Sequence, residues 1–180
     1  MICLVEALHY RCLRYIKKEL NNFHILVGPN ASGKSTFLDV ISFLGDIVKD
    51  GPENAVRKRT PNYNDLIWLK EGDSFELAIE TNIPDKYKKV IERNGNCRYE
   101  VAIGKIPETG EFGILSETMW FRPDEKEGKR QLEIFPNPLE PPNTIVVSGM
   151  KKNWKKVVNK VKGGNDNFYS ETKKGFDHSF

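Results

Sequence analysis

No apolar run in the chain is long enough to cross a bilayer. Nor does the sequence start like an exported protein, because Met1-Ile2-Cys3-Leu4-Val5 gives way at once to charged and polar residues. Cysteine is scarce. Cys3, Cys12 and Cys97 cannot all pair with one another, and none lies in a Cys-x-x-Cys motif. This usage predicts reduced thiols in a cytoplasmic protein. Cys3, His9 and Cys12 are close in sequence, but their spacing fits no standard zinc site and a fourth ligand is missing. Charge of one sign is also lacking. The net charge of +3 neither demands nor excludes a nucleic-acid partner. What remains is an ordinary polar chain of 180 residues, with 38% hydrophobic, 29% charged and 11% aromatic residues. That composition argues against disorder, and the length fits one domain or one lobe of a larger one.

Read in order, Ile2–Leu8 and Leu13–Lys17 are candidate strands, and the apolar run Phe23-His24-Ile25-Leu26-Val27 predicts a buried strand ending at Gly28. From Ser35 the period changes. Phe37, Leu38, Ile41, Leu44 and Val48 recur at helical spacing, and Gly51-Pro52 ends that helix. Glu53 to Arg59 predicts a second short helix before the break at Thr60-Pro61-Asn62. Strict alternation over Phe75–Glu80 and Tyr99–Ile103 then predicts antiparallel strands with one wet face, joined by further strands at Phe112–Leu115 and Met119–Phe121. Asp85 to Arg93 reads as a helix. Residues 123–142 hold five of the ten prolines and read as an exposed loop, followed by a strand at Thr144–Val147. Val157–Lys162 and Asn167–Thr172 flank the turn Gly163-Gly164-Asn165-Asp166, which favours a hairpin over the helix that Trp154, Val157, Val158 and Val161 would also fit.

One motif carries chemistry. Gly28-Pro29-Asn30-Ala31-Ser32-Gly33-Lys34-Ser35 fits G-x-x-x-x-G-K-[ST] at every fixed position, with a strand expected before it and a helix after it. Small residues let successive backbone N–H groups turn inward around a phosphate, and the helix adds its positive end. Lys34 is the candidate catalytic residue, reaching β- and γ-phosphate oxygens. The Ser35 hydroxyl is the candidate Mg²⁺ ligand, and Thr36 adds a contact near the α-phosphate. The cofactors this implies are ATP and Mg²⁺.

The fillers narrow the class. Gly-Pro-Asn-x-Ser-Gly-Lys-Ser-Thr resembles the P-loop of ABC-class ATPases of the SMC, RecF and OLD kind. Phe43–Asp46 to Arg59, Asp65–Leu69, Phe75–Glu80 and the hairpin Val157–Thr172 look like AAA-type ATPases common among bacterial defence proteins. The resemblance implies an α/β fold, an incomplete P-loop NTPase core with an adjoining antiparallel β subdomain. The whole chain, residues 1–180, then reads as a single N-terminal ATPase lobe. Within it lie a core at 1–60, a β-rich subdomain at 61–122, a Pro-rich loop at 123–143 and returning strands at 144–180. Tyr10-Arg11-Cys12-Leu13-Arg14 occupies the place of the family's Arg-containing segment. The resemblance thus makes Arg11 a nucleotide contact, with solvent-facing arginines the alternative. Gln131, the single glutamine, stands for the family's Mg²⁺-contacting Gln, with a solvated side chain as its alternative.

Several parts of a complete head are missing. No run of apolar residues is followed by an acidic pair: Ile145-Val146-Val147 leads into Ser148-Gly149, and Ile79-Glu80 into Thr81. No Leu-Ser-Gly-Gly-like signature is present, and His178 is no switch histidine. Asn159-Lys160-Val161-Lys162 lacks the acid a GTPase needs to read guanine, and the β-rich stretch 75–121 does not suit a nucleotide kinase lid. The resemblance therefore implies a truncated or split ATPase. Its hydrolysis would need the missing C-terminal half, or a homodimeric or partner head. The other reading is a nucleotide-dependent binding module without its own turnover. Eight lysines against two acids in residues 151–174 leave DNA contact open beside the plainer reading of a solvated face.

Overall fold

The computed structural model describes residues 1–88, 95–123, 135, 140–161, 167–169 and 176–179, with backbone alone from Val161 onward. Eight strands form one antiparallel sheet. They are β1 (Ile2–Tyr10), β2 (Leu13–Glu19), β3 (Ser74–Asn82), β4 (Asn96–Lys105), β5 (Phe112–Arg122), β6 (Lys155–Val161), β7 (Asn167–Tyr169) and β8 (Phe176–Ser179), in the order β2-β1-β3-β4-β5-β6-β7-β8. The two stretches read as separate strands at 112–115 and 119–121 are the single strand β5. β6 and β7 form the expected hairpin, pairing Val158 with Phe168 and Asn159 with Asn167.

One sheet face carries the helices. Alternation places Val5, Ala7, Phe75, Leu77, Val101 and Ile103 on it, each nearly or fully buried. Against them packs α1 (Lys34–Asp50), through Phe37, Val40, Phe43, Leu44 and Ile47. The helix runs as expected, but its buried stripe is rotated: Leu38 and Val48, expected on the core face, are 55% and 74% exposed. Phe43, a β-facing aromatic in contact with Tyr10 and Phe75, sets the rotation instead. Gly51, at φ +82, closes α1, and Pro52 opens α2 (Pro52–Arg57) at a position where the missing N–H costs nothing. The helix expected at 85–93 is described only as the turn α3 (Asp85–Lys88), and residues 89–94 lie outside the described residues.

The opposite face corrects the expectation of a wet surface. Its alternating polar residues are buried and bound to one another. The Arg98 guanidinium donates to Glu6, Glu80 and Glu100 at 2.9–3.1 Å, with each of these side chains at most 8% exposed. Glu100 also accepts from Thr118 and from the Trp120 indole, and Arg122 reaches Glu80 at 2.7 Å. Residues 144–147 lie over this face, and they are an irregular strap rather than the expected strand. Carboxylates take the place of a neighbouring strand. Glu76 accepts from the N–H groups of Ile145 and Val146, and Glu100 from that of Val147. Arg98 in turn donates to the Ile145 carbonyl. Alternation records which residues share a face, but not what covers that face.

The segment before the P-loop is the second correction. Residues 23–27 belong to no strand, and among the described residues none of them makes a backbone hydrogen bond. Leu26 packs on the core, whereas Phe23, Ile25 and Val27 are 79%, 67% and 71% exposed. The apolar run predicts burial, yet of its residues only Leu26 packs on the core.

Candidate phosphate-binding site

The loop from Gly28 to Gly33 joins that open segment to α1. Gly33 is the N-cap residue of α1 at φ +90, and Ala31 also takes a positive φ of 62. The helix starts at once, with Phe37 N–H donating its first intrahelical bond to the Gly33 carbonyl at 2.8 Å. A Cβ on Gly33 would come within 2.9 Å of the Leu13 side chain, and one on Gly28 within 2.7 Å of the Phe135 carbonyl oxygen. Gly28 is required by space, against backbone, and Gly33 by its left-handed conformation.

Lys34 lies across the loop. Its ammonium donates to the carbonyls of Gly28 and Pro29, at 2.8 and 2.6 Å, and to Ser32 Oγ at 3.3 Å. Its charge is thereby fixed at the mouth of the loop. Pro29, Asn30, Ala31 and Ser35 are exposed, and Ser32, Lys34 and Thr36 half-buried. The first turn of α1 contains no acidic residue, so the positive end of the helix is left uncompensated. A cation held on loop carbonyls and a helix N-terminus without acids lie together at an exposed loop, an arrangement that suits a polyanion. The Ser35 hydroxyl supplies the hard oxygen that Mg²⁺ prefers.

The turn between β1 and β2 docks onto the start of α1. Arg11 adopts φ +52, and its N–H donates to the Leu66 carbonyl at 2.8 Å. The Cys12 thiol donates to Thr36 Oγ1 at 3.1 Å. Tyr10 Oη and Arg11 Nη1 both donate to Asp39 Oδ2, at 2.7 and 3.2 Å, and Arg59 Nε donates to Asp39 Oδ1 at 2.8 Å. Burial, and then the hydrogen bond to Asp39, raise the Tyr10 hydroxyl well above its ordinary range, so it stays a donor. Further along α1, Asp46 accepts from Lys58 and Arg59, which holds its carboxyl below the usual range.

Residues 28–36 and Arg11 are thus brought together around one end of α1, whereas Gln131 lies outside the described residues. Phe135 belongs to the Pro-rich segment expected to be exposed, yet it is 3% exposed and packs edge-on against Phe37. Sequence reading missed Asp39, Arg59 and Cys12. The available clue was the spacing of Asp39, Asp46 and Asp50, which puts three acids on one side of α1 with Lys58 and Arg59 following the next turn.

A family model described as an AAA domain, putative AbiEii toxin, type IV TA system, matches residues 23–129, more than half of the chain. No curated protein matches. Among solved structures, the chain is similar to one described under ATP-driven dimerization and DNA-stimulated activation of SMC ATPases. The identity is 20%, 68% of this chain and 69% of that chain are covered, and the TM-score is 0.45.

Proposed function

Because the chain belongs to this AAA-domain family, we propose that it binds Mg-ATP through residues 28–36 and is the P-loop lobe of an ATPase whose hydrolytic acids come from elsewhere. The observation that carries the reading is the convergence of Lys34, the inward-bent loop and the acid-free helix start. In this account Lys34 turns from loop carbonyls to phosphate oxygens and neutralises their charge. Ser35 would hold the metal, and Thr36 and Arg11 would add contacts to the phosphates. Bound Mg²⁺ would supply electrostatic stabilisation of charge on the transferred phosphoryl group. Gln131 is proposed as a further contact to the metal.

In this reading the acidic pair and signature that the sequence lacks would come from a second half or a partner head, and turnover would need them. The segment before the loop supports this: Phe23, Ile25 and Val27 are exposed and, among the described residues, make no backbone hydrogen bond, so a further strand could add there. A binding module without turnover is the second reading, favoured by the lack of an acidic pair after any apolar run. DNA contact through residues 151–174 stays a subsidiary proposal of the same kind. Among the described residues no helix is long and apolar enough to cross a membrane, and the reduced thiols support a cytoplasmic setting.

The test is ligand-linked stability. Mg-ATP should raise the thermal unfolding midpoint of the chain in proportion to the logarithm of its concentration. Lys34→Ala should remove the rise, and Ser35→Ala should remove its dependence on Mg²⁺. Equal shifts in wild type and Lys34→Ala would sink the proposal.

A further inference from the structure

Asp39 is bound by three donors that are unequal. Arg59 is its buried partner, with a side chain only 10% exposed and a 2.8 Å bond. Tyr10, fully buried, donates to it at 2.7 Å. Arg11 is the outlying member, 44% exposed, bound through one nitrogen at 3.2 Å. Asp39 itself is 20% exposed. Without Arg11 three acids share two cations, yet each acid keeps a cationic partner. Arg59 is shared between Asp39 and Asp46, and Lys58 between Asp46 and Asp50. Taking Arg11 away leaves Asp39 with two short hydrogen bonds and an adjacent guanidinium, so no buried charge is stranded.

Arg11 also sits beside the phosphate-binding loop. Its neighbour Cys12 touches Thr36, and Leu13 and Cys12 press against Gly33. A polyphosphate seated there would compete with Asp39 for the same guanidinium. Phosphate offers the denser charge and bidentate geometry, and what it must displace is an exposed, single-bond ion pair of the weakest class.

From this geometry we infer that Asp39 is a counter-ion gate. It holds Arg11 beside the loop and releases it to the polyphosphate, so Asp39 sets how strongly Arg11 contributes to nucleotide affinity. The inference rests on the nucleotide-binding reading above. Asp39 is a positioning residue here, since it acts through Arg11 and touches no ligand.

The experiment is a double-mutant cycle on the full chain, read as the dissociation constant of Mg-ATP, with thermal unfolding followed in parallel. Asp39→Asn keeps the shape and, with its amide oxygen toward Arg59, an acceptor for that guanidinium, while its NH2 group can donate to the Tyr10 hydroxyl and the charge that competes for Arg11 is gone. It should tighten binding by about two- to fivefold, the worth of an exposed ion pair. Arg11→Gln should weaken binding, and in the Arg11→Gln background Asp39→Asn should give no gain. A gain of equal size in both backgrounds would mean a general charge effect and overturn the inference, as would unchanged or weakened binding in Asp39→Asn. A second measurement does not depend on that variant folding. Arg11→Gln should leave the unfolding midpoint where it is in wild type while Arg59→Gln lowers it, and equal losses would overturn the inference. Absence of Mg-ATP binding in wild type would instead strike the nucleotide-binding reading itself.

Discussion

At the residue scale, the site is governed by two glycines and a thiol. Gly33→Ala adds a methyl group at φ +90 and against Leu13. It should cost about 1–3 kcal/mol of stability, measurable by urea unfolding. Cys12 is exposed, whereas Cys3 and Cys97 are partly buried. Burial, with Glu80 nearby, pushes the Cys97 thiol up to about 11 and moves Cys3 in the same direction. An alkylating reagent at pH 8 should therefore modify Cys12 first, as read by peptide mass mapping. Mg-ATP should slow that reaction, because Cys12 lies on Thr36. Cys97 reacting first would contradict the packing. The bent loop with Lys34 folded over it was legible in the sequence because its glycines and lysine stand at fixed local spacing. The Cys12–Thr36 and Arg11–Asp39 contacts span 24 and 28 residues, and no local pattern encodes such pairings.

At the scale of elements, strands and helices were legible where a period was sustained over many residues. That covers β1 to β5 and α1. The failures share one cause. Alternation in Phe75–Glu80 and Tyr99–Ile103 predicts a wet face, but Glu80, Arg98 and Glu100 are buried and ion-paired with one another. Phe23–Val27 was read as buried, although its cover is not encoded in the run itself. Thr144–Val147 has strand composition, yet its N–H groups go to Glu76 and Glu100. The buried network gives a test of its own. Arg98→Ala would leave Glu6, Glu80 and Glu100 without their common cation, and should destabilise the chain by about 3–5 kcal/mol in urea unfolding. A loss under about 1 kcal/mol would show that the face is wetter than its geometry implies.

The acidic side of α1 predicts a pH dependence. Hydrogen bonds from Lys58 and then Arg59 hold the folded Asp46 carboxyl below its ordinary value of 3.8. A depressed folded pKa contributes stability that is present above the unfolded value and lost as pH falls through the folded one. The unfolding midpoint should therefore drop as the pH is lowered below about 4. Asp46→Asn should flatten that drop, and an unchanged acid slope in the variant would contradict the assignment.

At the scale of the whole molecule, the described residues form one antiparallel sheet with helices on one face and a strap on the other, and the candidate phosphate-binding loop lies where the β1–β2 turn meets α1. The loop is fully assembled, while the segment leading into it is open and apolar. Replacing Phe23, Ile25 and Val27 together by Ser should reduce self-association in sedimentation without lowering the unfolding midpoint. These side chains contribute little to the core but offer an exposed apolar row. A lowered midpoint would mean that the row is already covered. Fold class and loop could be read from the sequence. The two faces of the sheet and the uncovered segment could not, because each depends on what distant residues bring to it.

The most direct measurement of the central claim is calorimetric titration of the full chain with Mg-ATP, in wild type and in Lys34→Ala. Wild type should show one site per chain and the variant no measurable heat of binding, and the variant should remain folded because Lys34 is only half-buried. Binding of equal strength in both proteins, or none in wild type, would contradict it.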